Sequence, residues 1–183
     1  MVLSRDDYFE VALQVLAESG FPALSASALC DRMGITRGSF YHHFESFDEF
    51  IDGLLSQWEH QVYTGELRGG SFAVDDLAAR FEIQSQRALS LPHGAEIALR
   101  AWATVNSRVA DSQRRIDQLR HEVIVRSLIE QGVPSAVAEV HADIAVNAFV
   151  GAQMKRASSE HMGRMFEEIA GQLVALAAAH ASD

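Results

Sequence analysis

The chain contains very little cysteine, proline or uninterrupted apolar sequence. Its one cysteine, Cys30, excludes an internal disulfide and a metal site built from several cysteines. Three prolines and an almost complete lack of strand-like alternation argue against a β-rich fold. The longest apolar run, "LVALAAA" at 173–179, is too short to span a bilayer. Charged residues within the first twenty positions indicate no signal peptide, so we expect a soluble, cytoplasmic protein with no membrane partner.

Positive charge is also scarce. Lys155 is the only lysine, and the chain carries a formal net charge of −10 at pH 7. Non-specific affinity for nucleic acid depends on lysines and arginines that neutralise phosphates. The charge balance therefore argues against a general polyanion binder, so any DNA-binding function has to depend on a local arrangement of residues.

Helical periodicity is abundant. Apolar residues recur at i, i+3, i+4 and i+7 over most of the chain, which predicts an all-α protein of about nine helices. Near the N-terminus, Ser25 precedes a second helix that ends at Gly34, and Thr36 is a favourable N-cap for a third. Residues 25–44 thus have the outline of a helix-turn-helix, a motif whose second helix enters the major groove of DNA.

The segment "GITRGSFYHHFES" (34–46) has features that a stable helix does not need. Gly38 lies in the first turn, where glycine is about 1 kcal/mol less favourable than alanine. A missing side chain is useful there if another backbone must come close. Phe40 and Phe44, four residues apart, are predicted to anchor the helix inward. The alternative is a short surface helix whose glycine and histidines have no special role.

Polar side chains of this segment have the chemistry for DNA contacts. Arginine and histidine can donate to base edges, while hydroxyls, histidine and a helix N-terminus can donate to phosphate oxygens. We assign base reading to Arg37 and His42, and phosphate contacts to Tyr41 and His43. The full set of predicted DNA-binding residues is Ser25, Ser27, Thr36, Arg37, Gly38, Ser39, Tyr41, His42 and His43.

The stretch "GFPALSASALCDRMGITRGSFYHHFES" (20–46) resembles the DNA-binding domain of the TetR family. The residues in register with the family's pattern are Gly20, Phe21, Ser25, Leu29, Cys30, Met33, Gly34, Ile35, Thr36, Gly38, Phe40, Tyr41, His43 and Phe44. The resemblance implies a homodimeric transcriptional regulator, usually a repressor, that binds a palindromic double-stranded DNA operator. It also implies a DNA-binding domain at 1–46 and a larger helical domain at 47–183 for dimerisation and for a small-molecule effector.

Two positions depart from that family's pattern. Phe47 stands where the family often has a lysine that meets a phosphate, and Ser27 stands where a basic residue is common. Residues 1–47 contain three arginines and six acidic residues, a net charge of −3. DNA affinity is therefore predicted to depend on few cations, on helix-end N–H groups and hydroxyls, and on histidines that gain a proton as the pH falls.

The remaining helices supply candidates for a dimer interface. Small residues recur along the last two helices, such as Ala145 and Ala152 in the eighth and Gly171 and Ala175 in the ninth. In the family, the corresponding pair of helices packs against the same pair of a second copy, which implies a homodimer formed through these helices. Ordinary packing within one chain is the alternative.

A ligand pocket is predicted from aromatic side chains on different helices and a histidine on the apolar eighth helix. The candidate ligand-binding residues are Trp58, Phe81, Trp102, His141 and Phe149. An ordinary hydrophobic core is the alternative interpretation. The sequence leaves the chemistry of the effector open.

The sequence contains no arrangement typical of catalysis. The histidines lack the spacing of a zinc site, and neither a G-x-S-x-G turn nor a phosphate-binding loop is present. We therefore expect no enzyme activity and no cofactor. Three interpretations stay open: a ligand-responsive repressor, a DNA binder without a small-molecule effector, and an α-helical interaction protein that does not bind DNA.

Overall fold

The computed structural model describes residues 3–64 and 74–181, and within these ranges it contains nine α-helices and no strand. The helices are α1 Arg5–Ser19, α2 Ala26–Met33, α3 Arg37–His43, α4 Phe47–Tyr63, α5 Leu77–Ser90, α6 His93–Ala103, α7 Ser107–Ile129, α8 Ser135–Met154 and α9 Ser159–His180. The predicted all-α fold of about nine helices is confirmed. None of the described helices is both long enough and apolar enough to cross a membrane.

The ends of α2 and α3 follow the predicted capping signals. The Ser25 side chain accepts a hydrogen bond from the backbone N–H of Ala28 at 3.1 Å, and Thr36 accepts one from that of Ser39 at 3.3 Å. Gly34 ends α2 with φ 67° and ψ 34°, a left-handed conformation that glycine adopts without a steric cost.

Two other helices differ from the sequence-based bounds. The pattern "RRIDQLRHEVIVRSLIEQG" predicts a seventh helix that starts at Arg114. α7 begins at Ser107 instead, because Asn106 Oδ1 accepts from the backbone N–H of Val109 at 3.2 Å and caps an earlier first turn. α4 ends at Tyr63. The sequence pattern predicts a fourth helix over 46–67 and a break at "RGGS" (68–71). Residues 65–67 and this break lie outside the described residues.

The chain divides into two compact units. Unit 1 comprises Met1–Gln61 and Pro92–Arg115, and unit 2 comprises Val62–Leu91 and Ile116–Asp183. Unit 1 is larger than the predicted DNA-binding domain at 1–46, because α6 packs on α1 and completes the same core. The boundary after residue 46 stays a prediction about where the DNA-binding domain itself ends.

Aromatic side chains form the core around α3 in unit 1. Tyr8 comes from α1, Phe40 from α3, Phe44 from the residue after α3, and Phe50 from α4, and all four are fully buried. The ring centroids of Phe44 lie 5.4 Å from Tyr8, 5.1 Å from Phe40 and 5.1 Å from Phe50. Contacts of this kind add to the stabilisation from area burial.

Apolar contacts between α5, α7, α8 and α9 form the core of unit 2. One cluster contains Phe81, Leu128 and Leu173, and a second contains Phe149 and Phe166. Residues of both clusters also line a cavity within this unit.

Ion pairs join α4 to the start of α7 within unit 1. The Glu59 carboxylate accepts from Arg115 Nε at 3.0 Å and from Arg115 Nη2 at 2.6 Å. Arg108 pairs with Asp48 at 3.1 Å and with Asp52 at 3.0 Å. The hydrogen bonds from Arg115 hold the pKa of Glu59 below its ordinary value of 4.5, against the opposing effect of partial burial.

Glu59→Gln is expected to lower the melting temperature at neutral pH and to have progressively less effect in acid. Because the folded-state pKa is lowered, the contribution of Glu59 is complete above pH 4.5 and is lost as pH falls through the folded value. Melting curves between about pH 7 and 3 measure this, with Glu168→Gln on the exposed face of α9 as the control. A difference between parent and Glu59→Gln that stays constant down to pH 3 would contradict the assignment.

Candidate functional site

A closed turn fixes the orientation of α3 relative to α2. The backbone N–H of Ile35 donates to the Cys30 carbonyl at 3.0 Å, and the Cys30 thiol donates to the Thr36 carbonyl at 3.6 Å. Burial raises the pKa of the Cys30 thiol, which keeps it protonated and able to donate. The predicted helix, glycine turn and helix are therefore present in the structure.

The two faces of α3 differ sharply in burial. Phe40 is 0% exposed and Phe44 is 1% exposed, so the predicted inward anchors are confirmed. The outward face carries exposed residues that belong to the predicted DNA-binding set: Arg37, Gly38, Tyr41 and His42. Because the anchors are held by the aromatic core, the outward side chains have a fixed direction.

Other members of the predicted set make contacts within unit 1. The hydroxyl groups of Ser39 and Tyr8 lie 3.3 Å apart, and the His43 ring lies 5.2 Å from the Tyr8 ring. Ser25 and Thr36 cap their helices with oxygen lone pairs, so each hydroxyl keeps an O–H donor that can point to a phosphate. Ser27, on α2, is half-buried.

Arg37 differs from the other arginines of unit 1. Ion pairs join Arg5 to Glu49, Arg32 to Glu18, Arg100 to Glu96, Arg108 to Asp48 and Asp52, Arg114 to Asp111, and Arg115 to Glu59. The described part of unit 1 contains no lysine, and Arg37 is the one arginine in it without an ion pair. It is exposed on the outward face of α3, so its charge is available to a partner.

Phe47 extends the aromatic core. It is half-buried, and its ring centroid lies 5.5 Å from that of Phe50 and 6.4 Å from that of Phe40. The position at which a lysine was expected from the resemblance therefore stabilises the packing of α3 on α4 instead of contributing a charge.

A second candidate site is a cavity of about 100 Å³ within unit 2. Side chains of α5, α7, α8 and α9 line it, and most of the lining is apolar. The lining includes Phe81 and Phe149, two of the predicted ligand-binding residues. Both also belong to the hydrophobic clusters of unit 2, so the cavity is a gap within the core of this unit.

The other predicted ligand-binding residues lie elsewhere. Trp58 is buried in unit 1, and Trp102, also in unit 1, stacks on Phe21 with ring centroids 5.9 Å apart. The Nδ1 atom of His141 lies 2.9 Å from the Val137 carbonyl oxygen within α8. The structure thus does not bring the five residues together at this cavity, and ligand binding by these three stays a prediction.

Sequence reasoning missed three polar residues that line the cavity, Gln84, Ser85 and Arg120. Arg120 is 6% exposed, and its guanidinium carbon lies 4.8 Å from the centroid of the Phe149 ring. The Nε2 atom of Gln84 is buried and has no hydrogen-bond acceptor within the described ranges. A signal for Arg120 was available, because it continues the buried stripe of Ile116 and Val123 along α7.

Large apolar side chains are exposed on α8. Val140 and Ile144, one turn apart, are 55% and 57% exposed. The small residues Ala145 and Ala152 are buried within unit 2, so the prediction that they face a second copy is wrong. They instead pack beside the Phe149 side chain, where small residues leave space for its ring.

Comparisons with known proteins agree with this geometry. Residues 9–53 match the family model of bacterial regulatory proteins of the tetR family. Over 51 residues the chain is 41% identical to the HTH-type transcriptional repressor KstR2 of Mycobacterium tuberculosis (strain ATCC 25618 / H37Rv), a match that covers 28% of this chain and 26% of that protein. The chain thus spans about a quarter of the length of the curated relatives it matches.

Solved structures extend the likeness of fold to nearly the whole chain. A transcriptional regulator from Rhodococcus sp. Rha1 has a TM-score of 0.77 at 20% identity, covering 94% of this chain and 96% of its own. A regulator from Saccharomonospora viridis in complex with choline has a TM-score of 0.71 at 17% identity, covering 90% and 93%. The helix-turn-helix region is thus similar to the tetR family of bacterial regulatory proteins, and over the rest of the chain the likeness to these regulators is one of fold.

Proposed function

We propose that the protein is a homodimeric DNA-binding transcriptional regulator, a repressor that a small-molecule effector releases from a palindromic operator. The observation that carries the proposal is the outward face of α3. It presents Arg37, the arginine without an ion pair in the described part of unit 1, beside Gly38, Tyr41 and His42. An unpaired guanidinium on the second helix of a helix-turn-helix is suited to the base edges of the major groove.

A palindromic operator requires two reading helices about one helical turn of DNA apart, and hence a dimer. The apolar stripe of Val140 and Ile144 on α8 supports a homodimer through the last two helices. Gly171 and Ala175 are exposed on α9, which packs on α8, and small residues allow a close approach of a second copy. We therefore propose α8 and α9 as the interface.

The cavity in unit 2 supports control by a small molecule. At about 100 Å³ it is smaller than the cavities of roughly 300–1,000 Å³ that hold drug-sized ligands. A large effector would therefore have to widen it, and a ligand that widens a packed core shifts the protein between two arrangements. Arg120 of α7 lies in the cavity lining. Two arginines in the first part of the same helix, Arg108 and Arg115, pair with acidic residues of α4.

We also propose that the protein acts by binding and has no catalytic activity. In the ranges 3–64 and 74–181, no three histidine, cysteine, aspartate or glutamate side chains come together as a metal site. A regulator of this kind acts on the chromosome, so we assign it to the cytoplasm.

The acidic charge of the N-terminal region favours one alternative. With a net charge of −3 over residues 1–47, the domain attracts DNA weakly at long range, which would suit an α-helical interaction protein. A DNA binder without an effector is a further possibility. A mobility-shift experiment with the DNA that flanks its own gene separates a DNA binder from an interaction protein, because only a DNA binder retards the DNA. The same experiment with added metabolites tests whether an effector releases the DNA.

Arg37→Ala is expected to weaken binding to the operator by about 1–3 kcal/mol and to relax sequence preference, because a base contact is lost. Arg32→Ala, on α2, is the matched control: it removes the same charge, but from a side chain that is already paired with Glu18. Binding isotherms for both variants and for shuffled DNA give the comparison. Equal losses for the two variants would show that only net charge matters and that Arg37 reads no base.

Gly38→Ala is expected to lower DNA affinity without destabilising the fold. A Cβ at this position would lie 3.6 Å from Thr36 Oγ1, an ordinary contact, and alanine favours the helix by up to about 1 kcal/mol. The loss of affinity would come from the methyl group standing between α3 and the DNA backbone. Gly163→Ala in α9 is the control for melting temperature and DNA binding. Unchanged affinity in Gly38→Ala would refute the idea that the glycine serves the DNA.

Ile144→Glu is expected to convert the dimer to a monomer with an intact fold, because the residue is exposed within one chain and would be buried in the interface. Light scattering coupled to gel filtration measures the mass, and circular dichroism checks the helices. Val105→Glu is the control, since Val105 is 71% exposed in unit 1 and lies outside the proposed interface. A dimeric mass for Ile144→Glu would move the interface away from this stripe.

A further inference from the structure

We infer that α8 pairs antiparallel with α8 of a second copy, with Asn147 on the two-fold axis and with Glu139 of each copy beside Lys155 of the other. The inference rests on the proposed homodimer, and it adds the direction, the register and the residues that select a second copy as the partner. All of these residues lie on α8 or directly after it, within unit 2.

An exposed stripe of α8 has the spacing of a helix-pairing seam. Its large apolar members, Val140, Ile144 and Met154, are 55%, 57% and 52% exposed. The whole stripe advances in steps of four and three residues: Val140, Ile144, Asn147, Gly151 and Met154. Alternating steps of four and three keep side chains on the one side of a helix that packs along another helix. The stripe is therefore suited to a second helix as its partner.

Charges at the two ends of α8 favour an antiparallel partner. Glu139 and Asp143 are exposed near its N-terminus, and Lys155 and Arg156 are exposed directly after its C-terminus. Asp143 lies 3.4 Å from His121 Nε2 and is still 69% exposed at its side chain. A parallel copy would bring like charges together, whereas an antiparallel copy places the acidic end of each helix beside the basic end of the other. Charges that flank a seam set the orientation of paired helices in this way.

Asn147 lies at the midpoint of both patterns. Val140 and Met154 are seven residues before and after it, and Glu139 and Lys155 are eight residues before and after it. In an antiparallel pair with its two-fold axis at Asn147, a residue on one side of the midpoint lies beside the residue equally far on the other side in the second copy. At about 3.6 residues per turn, Glu139 and Lys155 lie on opposite flanks of the stripe, and the two-fold rotation brings them to the same flank.

Asn147 and Gly151 make this register more favourable than its neighbours. On the axis the Asn147 amide meets its own copy, and each amide has the donor and the acceptor that the other needs. A shifted register would place the amide against apolar side chains, which is why one polar residue in a seam can specify the register. A Cβ on Gly151 would meet no atom within 4 Å in the described residues beyond its own part of the helix. The fold of unit 2 therefore does not require this glycine, which leaves room for Ile144 of the second copy.

Cysteine cross-linking tests the axis directly. The native Cys30 is 2% exposed, so in the full-length protein only a cysteine introduced on α8 is accessible. Asn147→Cys should form a disulfide between two copies when copper phenanthroline accepts the two electrons that the two thiols lose. Val140→Cys is the matched control, because its two copies would lie about 21 Å apart along the helices and should stay unlinked. A mixture of Val140→Cys and Met154→Cys should give the mixed disulfide, which mass spectrometry identifies.

Light scattering on the same samples distinguishes failure of this inference from failure of the proposed function. A dimeric Asn147→Cys protein that stays unlinked, or a dimer that links through Val140→Cys alone, would keep the homodimer and overturn the antiparallel register. A monomeric parent protein would overturn the homodimer and this inference together.

A charge exchange tests the pairing without a change on the axis. Glu139→Lys and Lys155→Glu should each weaken dimerisation by about three-fold to ten-fold, because a dimer contains this exposed pair twice. The double variant should recover the dissociation constant of the parent, measured by sedimentation at several concentrations. Glu82→Lys, exposed on α5, is the control for net charge. A double variant that dimerises no better than either single variant would contradict the pairing, even if Asn147→Cys does not assemble.

Discussion

The burial of Phe40 and Phe44 against the aromatic side chains of α1 and α4 determines which residues of α3 can meet DNA. A helix of seven residues is not stable alone, because nucleation costs more than its few hydrogen bonds return. Burial of one phenylalanine contributes about 1.5–3 kcal/mol, whereas the Thr36 cap contributes about 1 kcal/mol. Packing therefore dominates, and since Tyr8 touches both anchors, α1 fixes the rotation of α3 about its axis.

Pairing of charges in unit 1 shapes function more than stability. Exposed ion pairs such as those of Arg5 and Arg32 are screened by solvent, so their energetic effect on folding is small. They nevertheless occupy the arginines that would otherwise attract phosphates. Under the proposed function, an acidic domain with one arginine left unpaired in its described part would bind DNA through geometry and hydrogen bonds, and its discrimination between sequences would depend strongly on Arg37.

Local signals were readable from the sequence, whereas contacts between distant helices were not. Gly34 and Thr36 define their turn through backbone and capping chemistry that involves only neighbouring residues, so the helix-turn-helix was predicted correctly. The start of α7 was not predicted, because the capping role of Asn106 becomes evident only from its hydrogen bond with the backbone N–H of Val109. The cavity required four helices to converge, and the aromatic contacts between helices are not encoded in any local pattern. The burial of Arg120 did have a local signal, because Arg120 continues the stripe of Ile116 and Val123 along α7. Phe47 packs on Phe50, a contact that the comparison with the family's pattern did not predict.

The central claim is that few cations of this chain meet DNA, with Arg37 foremost among them. The most direct test is the dependence of operator affinity on salt concentration, because each neutralised phosphate contributes about −0.9 to the slope of log K against log salt. With one such arginine in each protomer of a dimer, the slope should be about −2. A slope of about −5 or steeper, equivalent to roughly six neutralised phosphates, would contradict the account.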